Sequence, residues 1–137
     1  MKIALKLLII STLLLTTQAY ADHVSCLISG TPTQQQLTAD FCSSTVNVSQ
    51  PGVLFQFVGS KPVAEVQWSY SSEPNQQWNC STGSQCYVNF RRFQQGGLNE
   101  VTACVTRVLY RDHTWENVNH CATGTFTGYG GMAPIGS

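Results

Sequence analysis

From Thr45 onward the chain falls into short runs in which side chains of one kind recur at every second residue. That is the period of a strand with one buried face. Val46 and Val48 share one side of 45–49. Val53, Phe55 and Phe57 share one side of 53–58. Ala64, Val66, Trp68 and Tyr70 alternate with Glu65, Gln67 and Ser69, and Val88 and Phe90 alternate with Asn89 and Arg91. Turn chemistry separates these runs: Pro51-Gly52, Gly59-Ser60-Lys61-Pro62, Glu73-Pro74-Asn75, Ser81-Thr82-Gly83-Ser84, and the stretch Gln94 to Gly97. Val101–Tyr110 and Trp115–Phe126 read as one long hairpin around Arg111-Asp112-His113-Thr114.

Before residue 45 the pattern differs. Val24 to Ile28 reads as a short strand ended by Gly30. Thr31-Pro32-Thr33-Gln34 carries a cap, a proline suited to a first helical position and a capping-box glutamine. Leu37 and Phe41 follow four apart, so the spacing predicts a short helix near 32–41; the alternative is an ordered loop held by Cys42. Residues 22–44 are thus expected as an N-terminal extension packed on a β-sandwich at 45–127. The tail 128–137 holds Gly128, Gly130, Gly131 and Gly136, and the entropy of such a stretch predicts a flexible end.

Composition changes the picture chiefly at the N-terminus. Met1 to Lys6 carries two lysines, Leu7 to Leu15 is apolar apart from Ser11 and Thr12, and Ala19-Tyr20-Ala21 puts small residues where a signal peptidase reads them. Residues 1–21 therefore read as a cleaved secretory signal, shorter in its apolar part than a membrane span requires. Without them, the whole-chain charge of zero becomes five basic against seven acidic side chains. Such a balance excludes the clustered basic surface of a nucleic-acid binder or a polybasic membrane surface. It points to a secreted or periplasmic protein with no membrane span.

All six cysteines follow the predicted cut: Cys26, Cys42, Cys80, Cys86, Cys104 and Cys121. An even count in a small exported chain implies three disulfides, and the count alone leaves 15 pairings open. Hairpin geometry narrows them. Pairing Tyr110 with Trp115 sets Cys104 opposite Cys121, within disulfide reach. The turn at 81–84 brings Cys80 to Cys86, and Cys26 and Cys42 remain to join each other. No Cys-x-x-Cys pair suggests zinc, and neither a metal nor another cofactor is expected.

Six or seven short strands at this spacing argue for an all-β sandwich. The order of features resembles an immunoglobulin-like antiparallel domain, including the bacterial PKD type, over about residues 45–127. In that likeness Val53–Val58 takes the place of strand B, Ala64–Tyr70 of strand C with Trp68 inward, and the long hairpin of strands F and G. The chain departs from the family at three points. Strand B has no cysteine, Thr102 stands where a corner tyrosine is expected, and Trp68 is followed by Ser69-Tyr70 rather than the PKD aspartate motif. A weaker likeness to chaperone-assembled pilins rests on the glycine-rich tail with Tyr129.

Candidate chemistry is sparse. His23, His113 and His120 lie in no motif with a mechanism, so no catalytic residue is assigned and no enzyme is expected. Asp112, His113, Glu116 and His120 gather at the hairpin but read as a solvated tip. Asn47-Val48-Ser49 and Asn79-Cys80-Ser81 fit the N-glycosylation pattern. The aromatics say more. Trp78, Tyr87, Tyr110 and Trp115 fall near turns or on polar sides, where exposed rings stack on sugars or on apolar partner groups. Cross-strand pairing of Tyr110 with Trp115 is the favoured explanation for those two, because such aromatic pairs stabilise hairpins. The expectation is a non-catalytic binding domain for a protein or glycan partner outside the cytoplasm. Alternatives are an inhibitor or effector that blocks an extracellular or periplasmic enzyme through a hairpin such as 110–115, and a surface-filament subunit.

Overall fold

The computed structural model describes residues 21–128; the expected signal, but for Ala21, and the tail from 129 lie outside them. Nine strands follow in chain order: β1 His23–Ser29, β2 Thr38–Ala39, β3 Phe41–Val46, β4 Gly52–Val58, β5 Val63–Tyr70, β6 Gln76–Cys80, β7 Gln85–Phe90, β8 Asn99–Tyr110 and β9 Trp115–Gly128. They build two sheets, one ordered β2-β1-β4-β7-β6 and the other β3-β9-β8-β5. All pairings are antiparallel except β3 with β9. No helix among the described residues is long and apolar enough to cross a membrane.

The period-two pattern supplies the core. Val53, Phe55 and Phe57 of β4 and Val88 and Phe90 of β7 face Val101, Ala103, Val105 and Val108 of β8, and all are buried. Phe126 of β9 is fully buried and meets Phe90 and Phe93 edge-on, with ring centroids 4.9 and 5.6 Å apart. Such edge-to-face contacts suit the ring quadrupole. Gly124 makes room for this packing: a Cβ there would stand 2.9 Å from Val53 Cγ1.

The segment 22–44, expected as an extension, belongs to both sheets. β1 buries Val24, Cys26 and Ile28 between β2 and β4. The expected helix near 32–41 is absent; those residues form a loop, the short β2 and the start of β3. Leu37 and Phe41, the inward face of that expected helix, are both exposed. At Asp40 the chain changes sheet, with φ of 67°. Its amide donates to Val24 O in one sheet, and its carbonyl accepts from Thr123 N in the other. Helical φ and ψ would forfeit both bonds. The Cys26–Cys42 disulfide joins β1 to β3 and so ties the sheets together through the core.

The other two disulfides, Cys80–Cys86 and Cys104–Cys121, clip residues directly opposite on neighbouring strands. All three match the expected pairings, and such a set fits an oxidising compartment. β5 departs from clean alternation. Its register shifts between Val63 and Glu65, which leaves Ala64 exposed, and again between Gln67 and Trp68. The β6–β7 turn folds over this strand: Thr82 O accepts from Val66 N, and Gly83 O accepts from Trp68 Nε1 at 2.8 Å.

Candidate functional site

The β8–β9 hairpin ends in a three-residue loop. Tyr110 N donates to Thr114 O and His113 N to Tyr110 O, at 2.9 and 3.0 Å. His113 takes φ of 68°, the left-handed position that closes a turn of this length. Asp112 holds the loop from within: its Oδ1 accepts the Thr114 amide and hydroxyl, and its Oδ2 pairs with Lys61 Nζ at 3.0 Å. The Thr114 hydroxyl, Lys61 and the Thr114 amide together hold the Asp112 carboxyl down at about 2. The 60–63 segment braces the other side, since Arg111 N donates to Pro62 O at 3.0 Å.

This loop sets Trp115 opposite Leu109, not opposite Tyr110 as the sequence suggested. The loop is one residue shorter than the expected four. Further along, β9 carries an extra residue where Val118 and Asn119 face Thr106. That bulge restores the register, so Cys104 still meets Cys121.

The shifted register separates the two aromatics. Tyr110 turns into the core and is 2% exposed. Its hydroxyl lies 2.9 Å from both Asp22 Oδ2 and Glu116 Oε2. Burial, reinforced by these two acceptors, pushes the phenol well above its ordinary range. Burial acts to raise the Asp22 carboxyl as well, but the bonds from Tyr110 and Ser60 outweigh it and the net shift is downward. Lys61 Nζ lies 4.3 Å from the centre of the Tyr110 ring. Tyr110 is therefore a structural anchor tying the N-terminal segment to the hairpin, and it is not the exposed ring that the sequence suggested.

Trp115 turns outward and is 46% exposed. Arg107, two residues along β8 from Leu109, lays its guanidinium 4.3 Å over the indole. Beside Leu109 a depression of about 420 Å³ is lined by Ala64, Leu109, Tyr110, Arg111 and His113. The tip thus offers an indole held flat by a cation, an apolar floor and the charge of Arg111. Such a surface supplies stacking, apolar contact and hydrogen-bond donation.

The other two candidate aromatics lie elsewhere. Trp78 stacks on Tyr70 at 4.1 Å, packs against the core beside Phe55 and donates to Gln76 Oε1 at 3.1 Å. Its ring closes one edge of the sandwich. Tyr87 lies across Gly52, where any Cβ would collide with its hydroxyl, and bonds Ser29 Oγ at 3.2 Å. The four predicted residues thus form no single site, and Trp115 alone among them is exposed.

The acids and histidines near the hairpin also separate. Asp112 and His113 stay at the tip, Glu116 turns in toward Tyr110, and the His120 ring lies 6.2 Å from that of Phe57. Among the described residues no group of three His, Cys, Asp or Glu is arranged to hold a metal ion. Sequence reasoning missed Asp22, Ser60, Lys61 and Arg107. Asp22, Ser60 and Lys61 are far from their partners in the chain, and Arg107 reaches Trp115 only in the register that the shorter turn sets. No family model, curated protein or solved structure matches the chain.

Proposed function

We propose that this is an exported, non-catalytic recognition domain of immunoglobulin-like type, secreted or periplasmic, that engages a protein or glycan partner through the tip of the β8–β9 hairpin. The observation that carries the reading is Trp115, nearly half exposed and held flat under Arg107 beside an apolar depression. A ring ordered before binding loses little entropy on contact, which is why such aromatics dominate interfaces. Strand order supports the fold assignment. β1-β4-β7-β6 and β9-β8-β5 correspond to the A-B-E-D and G-F-C orders of immunoglobulin domains.

The test is binding of the protein without residues 1–21 to glycan arrays and to isolated extracytoplasmic proteins, in parallel with Trp115→Ala and Arg107→Ala. The expected result is at least one saturable partner whose affinity falls about tenfold or more in both variants, with unfolding temperatures unchanged; loss of one well-formed contact of ~1.4 kcal/mol has that effect. Binding that is indifferent to both changes would remove the tip from the site. The bracing of the loop by Asp112, Lys61 and Pro62 favours a second reading, a rigid projection that blocks an enzyme cleft. Titration against lysozymes and proteases separates the two.

A further inference from the structure

The opposite end of the sandwich carries a larger cleft, about 570 Å³, between the β5–β6 and β7–β8 loops. Its walls are built. Gln76 N donates to Glu73 O and Arg91 N to Asn75 O, at 3.0 and 2.8 Å, which fixes the first loop. Asn99 fixes the second: its Oδ1 accepts Gln94 N at 2.8 Å, and its Nδ2 donates to Gln94 O at 2.9 Å and faces Gly97 O and Phe126 O at 3.4 Å. The floor is aromatic, from Phe90 and Phe93, both held edge-on by Phe126. Leu98 stands at the rim and is 62% exposed, more than any other large apolar side chain among the described residues.

The polar lining is unspent. Glu73, Asn75, Arg92 and Glu100 line the cleft, yet their side chains make no hydrogen bond within the described fold. Lys61–Asp112 is the one ion pair among the described residues, so Arg92 pairs with neither glutamate. Glu73 and Glu100 also line an adjoining depression of about 210 Å³ with Ser71 and Thr102, so the polar surface continues as a groove.

We infer that this cleft is a binding site for a neutral saccharide of one or two rings. Carboxylates accept, a guanidinium donates and amides do both, which is the mixture that vicinal hydroxyls satisfy. Phe93 and Leu98 offer apolar surface to the C–H face of a sugar ring, and the volume falls in the range of small-ligand sites. A free anion is disfavoured by two carboxylates against one arginine. The site stands apart from the hairpin tip and does not depend on it.

The test is amide-shift mapping by NMR of the disulfide-intact protein without residues 1–21. The probes are maltose, cellobiose, lactose and chitobiose, with putrescine as a cationic control. The expected result is a saturable shift with at least one disaccharide, confined to residues 73–76 and 92–102. Arg92→Ala and Glu100→Gln should each weaken it about tenfold, and Trp115→Ala should leave it unchanged. Both cleft residues are exposed, so these variants keep the fold. Absence of a saturable shift with every sugar, a shift mapping to 107–115, or a response to putrescine alone would overturn the assignment.

Discussion

Replacing Tyr110 with Phe removes one oxygen from the junction between the N-terminal segment and the hairpin. The ring stays, so packing against the core and beneath Lys61 is preserved. What is lost is the hydroxyl shared between Asp22 and Glu116, each at 2.9 Å. A hydrogen bond to a charged group contributes about 1.5–3 kcal/mol. Glu116 is exposed and regains water in the variant, which places the cost at the low end, about 1.5 kcal/mol. For a domain of this size that corresponds to a fall in Tm of roughly 5–8 °C, measurable by calorimetry at neutral pH. The difference should have a definite pH dependence. The Asp22 carboxyl is lowered in the folded state, so its contribution is present above the unfolded value and is lost as pH falls through the lower folded value. The phenol is raised, so its contribution is present below about 10 and shrinks as pH rises beyond it. Asp22→Asn combined with Tyr110→Phe should cost less than the two changes summed, because they remove one bond. A Tyr110→Phe protein that unfolds at the wild-type temperature, with the two changes strictly additive, would refute the anchoring role.

Joint replacement of Cys104 and Cys121 by Ser opens a loop of 17 residues, for which the chain-entropy relation predicts a loss of about 3 kcal/mol, read from denaturant unfolding. The Thr114 amide should titrate with a midpoint at about 2 in an NMR pH series, because the depressed Asp112 carboxyl keeps its bonds above 3.8 and releases them only as pH falls through that lower value. In Asp112→Asn this transition should disappear. Gly124→Ala places a methyl 2.9 Å from Val53 Cγ1 and 3.2 Å from Ile28 Cδ1, an overpacking expected to cost about 1–3 kcal/mol in the same unfolding assay.

Much of this architecture was legible in the chain because its determinants are local or periodic. A strand of period two buries alternate residues whatever partner it meets, so Val53, Phe55, Phe57, Val88 and Phe90 could be assigned inward without a fold. The Cys80–Cys86 clip followed from turn length, Cys104–Cys121 was reached because the β9 bulge offsets the one-residue difference in the hairpin turn, and the third remained by elimination. Phase within an element was less secure. Ala64 leaves the inward row because β5 is bulged, and Trp115 loses Tyr110 as its partner because the turn has three residues rather than four. A one-residue slip reverses every facing side chain, so a small error in turn length became an error about which aromatic is free.

Tertiary structure decided the rest. The motif that spells a helix start at Thr31-Pro32 was overruled by sheet edges that offered Asp40 and Thr38 better partners. Residues 22–44 proved integral because β1 and β3 fill positions in separate sheets, which only the assembled sandwich defines. Asp22 reaches Tyr110 across 88 positions, and Arg92, Glu73 and Glu100 come to line one cleft only where distant segments converge. The sequence by itself determined which residues are apolar on one side, where the chain turns and how many staples it carries, because these depend on near neighbours. Which polar groups share a cleft, and which aromatic faces solvent, depend on contacts between distant segments, and those exist only once the sheets have closed on each other.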